Sequence, residues 1–148
     1  METKRAAETL SFEDAISETG RRRMRNAEGG AHRVYSYVER GFYAQQIRRL
    51  LQLFPPEQLL FLRTDDLWTR TQNALSRVCR FLNLASPASV ETAYIVPVRS
   101  DGLGTISENA LLKLNSLFEM DVNETSRLTG LSLADWMEPD YREPMAAN

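Results

Sequence analysis

Residues 43–82 read YAQQIRRLLQLFPPEQLLFLRTDDLWTRTQNALSRVCRFL, and three successive patterns in this stretch decide the fold class. The first is an apolar stripe at helical spacing, made of Tyr43, Ile47, Leu50, Leu51 and Phe54. Such a stripe predicts an amphipathic helix with one face on a core. Pro55-Pro56 ends this helix because neither proline has a backbone N–H to donate.

The second pattern is residues 58–63, in which four apolar residues stand together between the prolines and Thr64-Asp65-Asp66. A run without alternation is typical of a strand buried on both faces, as in a parallel sheet. The third pattern predicts another amphipathic helix over about 71–82, from the stripe Leu75, Val78, Cys79 and Leu82. Helix, buried strand and helix predict an α/β layer fold, mostly helical with one buried parallel-type strand at about 58–63.

The flanking segments add helices with clear start and stop signals. Ser11 predicts the cap of a helix over about 12–25, and Ser107 predicts the cap of another whose apolar face groups Leu111, Leu114, Leu117 and Phe118. A shorter helix around 122–128 ends at Gly130, and Ser132 has the spacing to cap one more turn, which carries Trp136. We therefore expect one domain over 1–136 and a tail over 137–148.

The composition excludes several classes of site. The 148 residues include 18 Lys+Arg, 20 Asp+Glu, one cysteine and one histidine. Cys79 has no second cysteine for a disulfide and, on its apolar stripe, is expected to be a small buried hydrophobe; His32 alone makes no zinc site that needs two histidines. No 18 apolar residues run together, and no apolar signal segment follows Met1. The sequence thus predicts no membrane span and a cytoplasmic location.

Charge is distributed unevenly along the chain, although the net charge is only −2. Residues 20–49 carry eight arginines against two acids, for +6, whereas residues 101–148 carry nine acids against three bases, for −6. This asymmetry indicates either an anion-binding face or two halves that attract each other. A small polyanionic ligand fits the basic block better than nucleic acid, because the sequence has no recognition motif and no dominant positive charge.

Three titratable residues in the first half are candidates for chemistry. Asp65 and Asp66 follow the predicted strand, at the end where open α/β sheets bind ligands. A carboxylate there is a candidate acid or base, although capping the following helix is the commoner role and the one we expect. His32, beside Arg33 and after two glycines, fits an exposed loop better than a general base.

Several motifs of residues 37–84 are shared with one family. They are Gly41-x-Tyr43, Phe54-Pro55-x-Glu57-Gln58 followed by Leu59–Leu62, Asp66-Leu67, and Phe81-Leu82-Asn83-Leu84. This run resembles the C-terminal half of sulfotransferases that use 3′-phosphoadenylyl sulfate, with the bacterial and heparan sulfate enzymes as the nearest group. Residues 10–16 and 128–130, with Asp135-Trp136, are also similar to segments of that family.

The resemblance implies part of a P-loop, nucleotide-kinase-like sulfotransferase fold. It implies transfer of a sulfuryl group from 3′-phosphoadenylyl sulfate to a hydroxyl or amine of a carbohydrate or small acceptor. The loop of Arg99, Ser100 and Gly102 occupies the place of a basic family loop that reaches the cofactor, but has one base where the family has two or three. It is either a cofactor contact or an ordinary turn.

The same resemblance leaves the catalytic residues unassigned. The family's glycine-rich 5′-phosphosulfate loop, its Arg and Ser for the 3′-phosphate, and its catalytic base have no counterpart here. We expect the chain to start just downstream of the 3′-phosphate serine, and we predict no catalytic residue and no metal ligand within it. The alternative is a truncated, non-catalytic remnant or one part of a split enzyme, which associates through an exposed sheet edge.

Overall fold

The computed structural model describes residues 10–25, 35–89, 106–139 and 141. The α-helices bounded within these ranges are α1 (Phe12–Ala15), α2 (Glu18–Arg25), α3 (Tyr43–Leu53), α4 (Thr64–Thr69), α5 (Thr71–Phe81) and α6 (Glu108–Thr129). Short 3-10 turns lie at Glu39–Gly41, Pro56–Gln58 and Ala134–Met137. No helix in these ranges is long and apolar enough to cross a membrane.

The predicted α/β fold with a buried strand at 58–63 is wrong, because the described ranges contain no β-strand. The segment begins in a 3-10 turn and continues extended, with φ −120° and ψ 127° at Leu59 and φ −80° and ψ 141° at Arg63. Its apolar side chains are half-buried. A strand requires a neighbouring ladder, and no paired extended segment lies beside this one among the described residues. Instead, Arg77 of α5 donates to the Phe61 carbonyl oxygen at 3.4 Å.

Most predicted helix ends are confirmed. The Ser11 hydroxyl accepts from the Asp14 N–H at 3.1 Å, and the Ser107 hydroxyl accepts from the Ala110 N–H at 3.2 Å. Helix α6 ends where Gly130 takes a left-handed conformation with φ 71°, which glycine adopts without a Cβ penalty. Leu133, rather than Ser132, begins the turn that carries Trp136.

Two helix predictions differ from the structure in continuity. The helix expected over 12–25 is divided into α1 and α2, because the Ser17 hydroxyl donates to the Asp14 carbonyl at 2.6 Å and accepts from the Gly20 N–H at 3.0 Å. These local bonds replace helical ones. Conversely, the two helices expected between Ser107 and Gly130 form the single helix α6, since no glycine or proline interrupts them.

The best-buried apolar cluster lies where α1, residue 38 and α6 meet. Ile16, Val38 and Ala110 form its centre, and Phe42, Leu114, Leu117 and Phe118 pack against it. Helix α3 packs on α6, and Ala44 and Ile47 of α3 are buried. Tyr43, Leu50 and Phe54 remain more than a third exposed, so only part of the predicted α3 stripe reaches a core. Cys79 is half-buried rather than fully buried.

Asp121 of α6 holds the start of α3. Its carboxylate accepts from the Tyr43 N–H at 2.8 Å and from the Ala44 N–H at 3.2 Å, replacing the missing side-chain cap of that helix. We expect Asp121→Ala to lower the free energy of unfolding by about 1–2 kcal/mol, because it removes an acceptor for free helix N–H groups. Urea unfolding followed by circular dichroism measures this loss, and Asp121→Asn should recover part of it. An unchanged midpoint in Asp121→Ala would contradict the capping role.

Candidate functional site

Arg63 is the centre of an extensive side-chain network. Its Nε donates to Asp65 Oδ1 at 2.9 Å and its Nη2 donates to the other oxygen of Asp65 and to Asp135 Oδ2. Nη1 donates to Asp135 Oδ1 at 2.9 Å and to the Ser132 carbonyl at 2.6 Å. We call Arg63, Asp65, Asp135 and the Ser132 carbonyl the Arg63 clasp. All five guanidinium N–H groups have acceptors within it.

The clasp contains one cation and two carboxylates, so its net charge is −1. The side chains of Arg63 and Asp65 are 11% and 12% exposed, whereas that of Asp135 is 39% exposed. The hydrogen bond from Arg63 holds the pKa of Asp135 below its ordinary value, and the hydrogen bond to Asp135 raises the pKa of Arg63. Arg63 therefore stays charged at neutral pH and below.

The lowered pKa of Asp135 predicts that acid destabilises the chain. When the pKa of a carboxyl is lower in the folded than in the unfolded state, its contribution to stability is complete above the unfolded pKa. That contribution is lost as the pH falls through the folded pKa. Because the ordinary pKa of this carboxyl is 3.8, the contribution of Asp135 to stability decreases below about pH 4. The urea midpoint, measured from pH 7 to pH 2, should decrease below about pH 4, and the decrease should be smaller in Asp135→Asn. Parallel curves for the two proteins would contradict the assignment.

A cavity of about 360 Å³ lies beside the clasp, between the start of α3, α4, α6 and the last turn. Four aromatic side chains line it: Tyr43, Phe118, Trp136 and Tyr141. Asp65 and Asn115 supply polar groups, and the Asn115 amide donates to the Met137 carbonyl at 3.1 Å. The Tyr43 and Trp136 rings are 6.1 Å apart between centroids, at an angle of 53°.

A second cavity of about 290 Å³ shares Tyr43, Thr64 and Trp136 with the first. Its other walls are mostly apolar and come from α3, the extended segment and the residues after α6, including Ile47, Leu62 and Leu133. Arg63 also lines it, and its guanidinium carbon lies 5.9 Å from the centroid of Trp136. The Tyr43–Trp136 pair therefore separates an aromatic cavity with a carboxylate from an apolar one.

The expectation that Asp65 or Asp66 caps the next helix is wrong. The cap position of α4 is Arg63, and both acids lie in the first turn. Asp65 belongs to the Arg63 clasp, and Asp66 pairs with Arg70 at 2.6 Å. Since both carboxylates are held by arginines, neither is arranged as a free general base.

The charge blocks meet within the described residues. Arg48 of the basic block contacts Glu124 of the acidic block at 2.9 Å, and Arg127 also binds Glu124. The hydrogen bond from Arg127, followed by that from Arg48, lowers the pKa of Glu124 to about 2. The Arg48–Glu124 contact is of the kind expected if the two blocks attract each other, whereas the Arg127–Glu124 pair lies within the acidic block.

The predicted cofactor residues Arg99, Ser100 and Gly102 lie outside the described residues, as does His32. The prediction of no metal ligand stays a prediction, and the described ranges contain no cluster of three or more metal-binding side chains. The Arg63 clasp and the Tyr43–Trp136 pair were not predicted as a site. Their only signals in the sequence are the adjacent charges of Arg63 and Asp65 and the Asp135-Trp136 pair.

Comparisons of the chain with protein-family models, with curated proteins and with solved structures find no significant match.

Proposed function

We propose that the chain is part of a sulfotransferase that moves a sulfuryl group from 3′-phosphoadenylyl sulfate to a hydroxyl or amine of a carbohydrate or small acceptor. The proposal rests on the motifs of residues 37–84 and 128–136. It concerns the activity alone and does not include the parallel sheet that the sequence predicted. One observation carries it: motifs that are far apart in sequence meet in space. Tyr43 of the Gly-x-Tyr motif lies against Trp136 of the C-terminal motif, with ring centroids 6.1 Å apart.

The other motif residues also have identifiable tertiary roles. A Cβ on Gly41 would lie 2.7 Å from Cζ of Phe118, so glycine allows the close approach of this turn to α6. The backbone N–H of Tyr43 is bound by Asp121, and Asp135 is bound by Arg63. Gly41, Tyr43 and Asp135 thus all take part in contacts between segments that are far apart in the sequence, and this is the support that the proposal draws from the structure.

The proposal assigns donor binding, rather than the catalytic base, to this chain. Arg99 would pair with phosphate oxygens of the donor, and the Ser100 hydroxyl and Gly102 backbone would add neutral hydrogen bonds. Sulfuryl transfer resembles phosphoryl transfer in needing positive donors around the in-line transition state. No residue of the chain is assigned the role of base.

Binding of radiolabelled 3′-phosphoadenylyl sulfate, measured by equilibrium dialysis, tests the donor site that the proposal assigns to this chain. We expect saturable binding by the purified chain above the no-protein background. Arg99→Ala should raise the Kd for the donor by about tenfold, the usual effect of losing one charge-assisted pair. Arg80→Ala removes the same charge at an exposed position of α5 and should leave the Kd unchanged. Binding at the background level would contradict the proposal.

A non-catalytic part of such an enzyme is the second candidate, and exposed apolar side chains favour it. Leu53 is 65% exposed, Leu84 is 61% exposed and Met120 is 84% exposed. The extended segment 59–63 also has no strand beside it within the described ranges. A chain with so much exposed apolar surface is suited to association with a complementary part.

Thermal unfolding separates the two candidates independently of activity. A non-catalytic part should unfold over a broad temperature range, bind a hydrophobic dye at neutral pH and elute as an oligomer. A monomer with a sharp, cooperative transition and no dye binding would contradict this second candidate.

A further inference from the structure

We propose that the aromatic cavity beside the Arg63 clasp binds an organic ammonium group, preferentially a quaternary one. This inference is independent of the proposed sulfotransferase activity. It is carried by three features: the aromatic lining of the cavity, the net negative charge of the clasp beside it and the lack of a basic residue in that lining.

The aromatic lining is suited to a cation because the face of an aromatic ring carries partial negative charge. Tyr43, Phe118, Trp136 and Tyr141 line a space of about 360 Å³. Several aromatic faces around one space are the usual means of binding a methylated ammonium, whose methyl groups also gain apolar contact. The volume lies within the range of small-molecule sites in proteins.

The net charge of the clasp beside the cavity favours a cation over an anion. Asp65 lines the cavity and belongs to the Arg63 clasp, whose two carboxylates exceed its single cation. Arg63 already donates all five of its N–H groups within the clasp, so it has no donor left for an anionic ligand. No lysine or arginine is among the residues lining this cavity.

A further carboxylate adds to this negative potential. Asp121 accepts from the Tyr43 N–H at 2.8 Å and precedes Val122, which lines the cavity. Asp65 lies on α4 and Asp121 lies on α6, and both helices contribute residues to the lining of the cavity. A ligand that is cationic and apolar at once matches both the charge and the lining.

Choline and its uncharged isostere 3,3-dimethyl-1-butanol test the proposal, because they share shape and differ in charge. In the Trp68→Phe chain, Trp136 is the one remaining tryptophan. Choline should change its fluorescence saturably, and the isostere should bind roughly tenfold more weakly. Broadening of the choline N-methyl proton resonance by the unsubstituted chain provides a second measurement. Equal affinities, or no saturable binding of choline, would overturn the proposal.

A matched pair of variants locates the binding. Tyr43→Leu keeps apolar bulk and removes the ring, so it should weaken choline binding several-fold while leaving that of the isostere unchanged. Phe54→Leu makes the same kind of change at an exposed aromatic residue that does not line the cavity, and it should alter neither. Loss of choline binding in Phe54→Leu, or its retention in Tyr43→Leu, would contradict the assigned site.

Discussion

Arg63→Met is expected to lower the free energy of unfolding by about 3–5 kcal/mol. The side chains of Arg63 and Asp65 are 11% and 12% exposed, and Asp135 is held by the same guanidinium. Removal of the cation leaves two carboxylates close together, one of them buried, with no compensating charge. Since small domains are stable by only about 5–15 kcal/mol, the loss takes a large share of the total. Urea unfolding at pH 7 measures it.

Two comparison variants show that burial, rather than charge alone, determines this effect. Arg127→Met removes an arginine that is 70% exposed and paired with Glu124, and should cost less than about 1 kcal/mol. Arg63→Met combined with Asp65→Asn and Asp135→Asn removes the uncompensated charges and should recover much of the stability. Equal losses in Arg63→Met and Arg127→Met would show that the clasp is not a buried unit.

Gly20→Ala is expected to destabilise the chain by about 3 kcal/mol, through overpacking. A Cβ at this position would lie 2.2 Å from the Asp14 carbonyl oxygen and 2.7 Å from that of Ala15. Both are backbone atoms, so relief requires α1 to move away from α2. An alanine in place of a helical glycine ordinarily stabilises by about 0.5–1 kcal/mol, so the sign of the change is diagnostic. Chemical unfolding followed by far-ultraviolet circular dichroism measures the difference.

Gly130→Ala is the matched control for Gly20→Ala. Its Cβ would meet nothing within 4 Å, but its φ of +71° is a conformation that side chains disfavour. It should therefore cost about 1 kcal/mol, from backbone conformation alone. If Gly20→Ala is as stable as the original chain, the close packing of α1 on α2 is contradicted.

Local signals in the sequence predict helix ends because the groups that satisfy them lie within a few residues. Ser11 and Ser107 each accept from an N–H three residues later, and Gly130 ends α6 through its own φ. The break at Ser17 is equally local but was missed, since a serine hydroxyl is also compatible with a continuous helix.

Segment 58–63 shows where such reasoning fails. An apolar run without alternation indicates burial but does not identify the partner, and a segment flanked by helices looks the same as one flanked by strands. The candidate site was missed for a related reason. Arg63 and Asp135 are 72 positions apart, and neither has a local pattern that points to the other. The predicted cofactor loop at Arg99 stays a prediction.

The separation between Arg63 and Asp135 also has a kinetic consequence. Closing a chain segment of 72 residues costs more conformational entropy than forming any turn of α3 or α5. We therefore expect the Arg63 clasp to form after the folding transition state. Substitutions of Arg63 should then accelerate unfolding while hardly slowing folding, and the clasp governs how long the native state persists rather than how quickly it is reached.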